Sequence, residues 1–222
     1  MDWQAFGVSL ALGLGTLVVL LPFALWAGHR LAARSFRGKH AVEALIAVPL
    51  VLPPTVLGFY LLTAFSVRSP LGAAFETLAG HALAFSFPGL LLASAVANVP
   101  FAVQPIQRSF EAVPVHVREA AACCGLTPWR RFLRIELPLA WPGVLTAAIL
   151  TFAHTLGEFG VVLMVGGNIP GETRTLSIAI YDRMQAFDDR SAGLMAATLL
   201  VLAIGALATT TMLARRAGPV RE

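Results

Sequence analysis

A helix that crosses a bilayer needs about 20 apolar residues, because only a helix satisfies all of its own backbone groups where water is absent. Five stretches of this 222-residue chain meet that demand, at approximately Ala5–Ala27, Ala44–Phe65, Leu83–Val103, Leu139–Val165 and Ala192–Leu213. Composition agrees, since 57% of residues are hydrophobic and 13% are charged, against about 25% charged in ordinary soluble domains. Water cannot solvate such a surface all round. The expected fold class is therefore all-α, a polytopic transmembrane helical bundle making one domain over residues 1–222. Residues Thr175–Phe187 offer a sixth span, with Leu176, Ile180, Met184 and Phe187 on one face. Their length, with Asp182 and Arg183 inside, favours an interfacial or re-entrant helix. The first apolar run has no basic residue ahead of it and exceeds the length of a signal-peptide core, so it reads as a retained span.

Orientation follows from the basic residues. Arg30, Arg34, Arg37 and Lys39 fall in the first loop, and Arg108, Arg118, Arg130, Arg131 and Arg134 in the third. Arg215, Arg216 and Arg221 fall in the tail. With five spans these 12 of 16 basic residues share one side, leaving Arg68, Arg174, Arg183 and Arg190 on the other. The N-terminus is then outside and the C-terminus cytoplasmic. Trp3, Trp26, Tyr60 and Trp141 fall near helix ends, as interfacial rings do. The same scatter of basic residues between apolar runs argues against nucleic acid as a partner, despite a formal charge of +4. Cys123 and Cys124 lack metal-ligand spacing and lie in a loop placed in the cytoplasm. They read as small residues packed in a helix, without a disulfide or a metal.

The third loop, Glu111 to Pro138, reads as two short helices joined by a sharp turn. Pro114 suits the first turn of the first helix, Gly125 supplies its stop, Thr127 caps the second helix, and Pro128 takes that helix's first position. Val113, Val117, Ala120 or Ala121, and Cys124 recur at helical spacing, giving a narrow face of small residues beside the basic edge of Arg130, Arg131 and Arg134. From the residues alone, such a face suits either a docked partner or lipid headgroups.

Glu119-Ala120-Ala121, three residues, Gly125, nine residues, Ile135, one residue and Leu137-Pro138 resembles the EAA loop of importer-type ABC transporter permeases. That resemblance implies a coupling helix seated in a groove of a separate cytoplasmic ATPase. Glu119 would make a polar contact there, Ala120 and Ala121 would pack closely, and Gly125 would form the turn. Cys123-Cys124 occupies positions that the motif leaves free. The chain holds no Gly-x-x-x-x-Gly-Lys-Ser/Thr sequence, Gly38-Lys39 being followed by His40, so hydrolysis of ATP with magnesium belongs to the partner. The chain is expected to be no enzyme and to bind no cofactor.

The remaining candidates concern a path through the membrane. Pro49, Pro53 and Pro54 interrupt the second span, with Thr55 and Gly58 following. A kinked structural helix and a pore-lining segment both fit. Pro88, Asn98 and Pro100 make a weaker case of the same kind in the third span. The fourth carries Thr151, His154, Thr155 and Glu158, where ionisable groups are costly. Counted from Trp141 at about 1.5 Å per residue, Glu158 falls near the outer end of its span. A hydrated or paired carboxylate and a gate element both fit that position; as a carboxylate it is not assigned as the ligand of an anion.

Val48-Pro49-Leu50-Val51-Leu52-Pro53-Pro54 and Leu156-Gly157-Glu158-Phe159-Gly160 resemble segments of molybdate and sulfate permeases. Asn168 through Thr175 resembles the molybdate branch specifically. The resemblance implies a homodimer in a bacterial or archaeal inner membrane, served by two ATPase subunits and an extracytoplasmic binding protein that delivers molybdate or tungstate. A tetrahedral dianion needs donors without permanent cationic clamps; Thr55, Asn98, Thr151, Thr155 and backbone groups freed by proline are the expected surroundings. A sulfate or thiosulfate permease is the alternative within the family. An ion-coupled secondary transporter or channel is the alternative outside it, and it has no use for a loop of this kind.

Overall fold

The computed structural model describes residues 1–217, without the side chains of residues 210, 211 and 213–217. The side chains of Arg215 and Arg216 and the whole of Arg221, counted above for orientation, therefore lie outside what is described. Among the described residues, four helical stretches are long and apolar enough to cross a membrane: Trp3–Ala33, Phe87–Glu111, Pro128–Gly157 and Asp189–Thr209. The first is α1. Helices α2 (Lys39–Val51) and α3 (Pro54–Phe65) come next, then α4 (Pro70–Ala79) and α5 (Phe87–Glu111).

The expected second span is not one helix. Helices α2 and α3 are bent by 109° at Leu52–Pro53 and form a fifth span only as a broken pair. Residues that precede proline are driven out of the helical region. Leu52 and Pro53 accordingly take extended ψ angles of 136° and 135°, and Pro54 opens α3 at a position that needs no N–H. Pro100 and Pro105, by contrast, sit inside an unbroken α5.

The third loop contains α6 (Val115–Cys123) and α7 (Pro128–Arg131). Here too the outcome departs from expectation. Helix α7 does not end before the fourth span; it runs through one turn of π-helix, Phe132–Glu136, into α8 (Leu137–Gly157). The expected fourth span also breaks at its far end. Glu158 is extended, and a separate short helix, α9 (Gly160–Gly166), carries the remainder. Helices α10 (Leu176–Gln185) and α11 (Asp189–Ala217) complete the chain; α10 matches the short helix expected over Thr175–Phe187.

Helices α1, α5 and α8 form the centre. Leu20, Ala24, Ala27 and Leu31 of α1 meet Val103, Ile106 and Phe110 of α5 and Ala140, Val144 and Ala147 of α8. Within apolar surroundings helices associate by close packing and a few hydrogen bonds rather than by hydrophobicity. The interface obeys that rule: Thr16 donates to Ser94 at 3.0 Å between α1 and α5, and Ser109 donates to the Ala140 carbonyl at 3.0 Å between α5 and α8. Gly143 lets α8 approach α5 so closely that a Cβ there would stand 2.2 Å from Ser109 Cβ. Gly143→Val is expected to lower stability by about 1–3 kcal/mol, seen as a lower thermal midpoint of the purified protein in detergent. Gly7→Ala, with nothing within 4 Å of the new Cβ, is the control.

A second cluster joins α3, α5 and α9 through Leu57, Phe65, Ala93, Ala97, Val161 and Val165. A third ties the start of α1 to α10 and α11 through Ala5, Leu176, Ala179 and Met195. Large apolar side chains also face outward, among them Val18, Leu45, Val51, Tyr60 and Val201. That inverted surface is what lipid requires.

Candidate functional site

Two places gather the candidate residues. The first is the loop between α5 and α8. Helix α6 ends at Cys123, with Cys124 as its cap and Gly125 at φ +76°, a conformation in which a Cβ is penalised. Two hydrogen bonds close the stop, from Gly125 N–H to the Ala122 carbonyl (2.9 Å) and from Leu126 N–H to the Ala121 carbonyl (3.2 Å). Thr127 Oγ1 then accepts from Arg130 N–H at 3.4 Å, with Pro128 at the first position. Pro114 is the cap of α6 rather than a member of its first turn.

Glu119 and Ala120 are exposed on α6, whereas Ala121 is buried in the chain's own fold together with Val113. The two alanines expected to pack on a partner alike thus differ, Ala120 being exposed and Ala121 buried. Ile135 is half-buried, Leu137 packs against the central cluster, and Pro138 is exposed. Cys123 and Cys124 are free and exposed, not packed as expected. Helix α6 is thus a largely exposed helix closed by a firm stop, with Ala121 turned into the fold.

The second place is where the two helix breaks meet. Gly160, opening α9, lies so close to α3 that a Cβ would be 2.7 Å from Pro54 Cβ, and Gly58 of α3 is similarly pressed by Met164. Beside this contact lies a recess of about 530 Å³ lined by Pro54, Thr55, His154, Gly157 and Glu158. A smaller cavity of about 150 Å³ continues from it past Leu50, Ala97, Phe101 and Val161.

Side chains around the recess hold one another. Asn98 is buried and donates from Nδ2 to the Ser94 carbonyl at 2.8 Å. Its Oδ1 therefore accepts from His154 Nδ1, 3.1 Å away. Phe101 stacks on the imidazole with ring centroids 4.1 Å apart, and Nε2 of His154 lies 3.7 Å from Glu158 Oε2. Glu158 is 7% exposed and accepts from Val161 N–H at 3.2 Å, capping the first turn of α9. Ser177 of α10 donates to its carbonyl at 2.8 Å. Glu158 is thus a paired carboxylate within a helix break, on the lining of the recess.

Not every candidate reaches the recess. Thr155 donates back to the Thr151 carbonyl at 2.8 Å, and both threonines are buried in the helix packing. Pro53 is exposed at the bend that Pro54 completes. Among the described residues no group of three metal-binding side chains is present. Sequence reasoning passed over Phe101, Ser94 and, at the loop, the buried Glu136. An aromatic one turn from Asn98 and a carboxylate flanked by Ile135 and Leu137 were the available signals.

Residues 20–216 match the family described as binding-protein-dependent transport system inner membrane components. The chain is 47% identical over 191 residues to the molybdenum transport system permease protein ModB of Azotobacter vinelandii, covering 84% of this chain and 83% of that one. It is 39% identical over 214 residues to the protein of that name from Escherichia coli (strain K12), covering 96% and 91%. A probable sulfate transport system permease protein of Anthoceros angustus stands further off, 30% identical over 204 residues, with 92% and 70% covered. Among solved structures, the inward-facing MetNI methionine ABC transporter superposes with a TM-score of 0.70 at 17% identity, covering 98% of this chain and 94% of the matched one. At that identity the likeness concerns the fold.

Proposed function

The chain belongs to the family of binding-protein-dependent transport system inner membrane components, and from that premise we propose that it forms the translocation path of an ABC importer for molybdate or tungstate. In this reading two copies of the chain pair in the membrane. Helix α6 of each docks on a cytoplasmic ATPase subunit, and an external binding protein delivers the oxyanion. The N-terminus then lies outside and the α5–α8 loop in the cytoplasm, the side to which nine of the basic residues in the first and third loops are assigned.

One observation carries the proposal: α6 is an exposed, small-residue helix with Glu119 outward and an αL stop at Gly125, in a chain without a phosphate-binding loop of its own. Energy must come from elsewhere, and α6 is the surface through which to receive it. The cargo half is supported by the relatives bearing molybdenum-transport names at 47% and 39% identity. The recess suits an anion in transit rather than one held. Thr55 offers a hydroxyl at its mouth, while the cationic capacity of His154 is tied to Asn98 and offset by Glu158. A path built this way passes what the binding protein selects.

Uptake into vesicles containing the chain, its ATPase and its binding protein tests both halves. Molybdate and tungstate are expected to enter at the expense of ATP, with hydrolysis rising when loaded binding protein is added. A tenfold excess of sulfate is expected to leave that uptake unchanged. Preferential sulfate import overturns the cargo assignment; uptake driven by an ion gradient without ATP overturns the coupling assignment.

A further inference from the structure

Glu136 occupies the position that the EAA pattern leaves free, between Ile135 and Leu137, yet it is 2% exposed and more heavily partnered than any residue of that pattern. It closes the π turn Phe132–Glu136, in which Leu137 N–H reaches back to the Phe132 carbonyl. Such a widened turn rotates the helix beyond it, and these turns concentrate at functional sites. Glu136 Oε2 lies 2.7 Å from His29 Nε2 of α1. Its Oε1 accepts from Arg131 Nε of α7 at 2.9 Å and lies 3.9 Å from Arg118 Nε of α6. Arg118 reaches in a second direction too, donating from Nη2 to the Phe110 carbonyl in the last turn of α5. The His29 ring stands edge-on to Phe110 and Phe132, with centroids 5.0 and 4.9 Å away.

One carboxylate thus joins α6, α7, α8 and α1, and its partner Arg118 adds α5. Stripping a buried charge of its partners is far more costly than keeping the cluster whole, so the joint holds or breaks as a unit. Ala121 is the one residue of α6 that is fully buried, and the helix is joined to its neighbours only through short turns at Ala112–Pro114 and Gly125. We infer that Glu136, through Arg118 and His29, is the positioning residue that locks α6 to the membrane bundle, so that displacement of α6 moves α1 and α5 instead of being lost at those turns. The inference rests on the docking role of α6 proposed above.

The test uses the full chain with its ATPase and binding protein, comparing wild type with Glu136→Gln, Glu136→Asp, Arg118→Lys and the Arg118→Lys/Glu136→Gln pair. Two readouts are taken: molybdate imported per ATP hydrolysed, and the motion of a spin label on Cys123 in a Cys124→Ser background, both thiols being exposed. Glu136→Gln is expected to assemble and hydrolyse ATP within about twofold of wild type, to cut import per ATP at least tenfold, and to mobilise the label. Glu136→Asp recovers part of both, and the pair is no worse than Glu136→Gln alone, as members of one joint must be. Should Glu136→Gln fail to assemble, Arg118→Lys is expected to show the same mobilised label and lowered ratio. An unchanged label and ratio in whichever variant assembles overturns the inference. Hydrolysis in the wild-type complex that ignores loaded binding protein counts against the docking reading, and the label, which needs no ATPase, still decides the joint.

Discussion

Gly125→Pro is expected to reduce molybdate uptake to background while the chain stays in the membrane at wild-type abundance. Gly125 sits at φ +76°, and proline holds φ near −65°. The substitution also removes the N–H that donates to the Ala122 carbonyl at 2.9 Å, so the stop of α6 cannot form and the helix leaves α7 in a different direction. None of the four long membrane helices contains this residue, so insertion has no reason to suffer. Gly125→Asn, which tolerates the αL region, is expected to retain most uptake, and Gly125→Ala to fall between them, at a cost of about 1 kcal/mol to the turn. Glu119→Arg, which reverses an exposed charge on the proposed docking face, is expected to match Gly125→Pro in uptake without altering the turn. The measurements are uptake in cells, membrane abundance of the chain, and stimulation of ATP hydrolysis by loaded binding protein. Normal stimulation in Gly125→Pro or Glu119→Arg removes α6 from the coupling route.

Gly160→Leu is expected to act at the other end of the machine. The new Cβ falls 2.7 Å from Pro54 Cβ and 3.3 Å from both Pro54 C and Thr55 N. Two of those atoms are backbone and the third belongs to a rigid ring, so α3 must move. The contact between the two breaks then opens and the lining of the recess is redrawn. Overpacking of this kind costs about 1–3 kcal/mol, and uptake is expected to fall at least tenfold because α3 and α9 can no longer close on each other. Gly157→Ala separates geometry from glycine content: it lines the same recess, yet its Cβ meets nothing within 4 Å. Near-normal uptake is expected there. Equal loss in both variants, or wild-type transport by Gly160→Leu, overturns the role given to the α3–α9 contact.

The sequence disclosed most where one residue type decides one backbone conformation. Gly125, Thr127 and Pro128 each act within a turn, so the stop, the cap and the helix start of the third loop could be read from the residues alone. The long apolar runs disclosed the bundle for the same reason, since bilayer thickness acts on each run separately. Breaks were harder. Pro53 and Pro54 announced a disturbance, but neither the size of its bend, 109°, nor the packing of α3 against Val161 and Met164 a hundred residues later is written in the local residues. The break at Glu158–Phe159 has no proline at all. Glycines on either side were the sole local hint, and apolar residues continue through it, so a length count merged α8 with α9. Glu136 was missed because burial of a carboxylate cannot be inferred from its neighbours in sequence. What makes it tolerable is a set of partners gathered by the fold: Arg131 nearby, Arg118 of α6, and His29, 107 positions away.

The broken helices also set an order for building the protein. Helix α3 has 12 residues and α9 has seven, about 18 Å and 10 Å of helix, well short of a hydrocarbon layer about 30 Å thick. Neither is long enough to cross a bilayer alone, and α3 reaches that length only together with α2. Their apolar faces are covered chiefly by each other and by Ala93 and Ala97 of α5. In the chain α3 precedes α9 by roughly a hundred residues, so its packing surface is incomplete until both α5 and α9 have been made. The contact between the two breaks is then a late step of assembly, and a chain truncated before Gly160 leaves the α9-facing side of α3 uncovered.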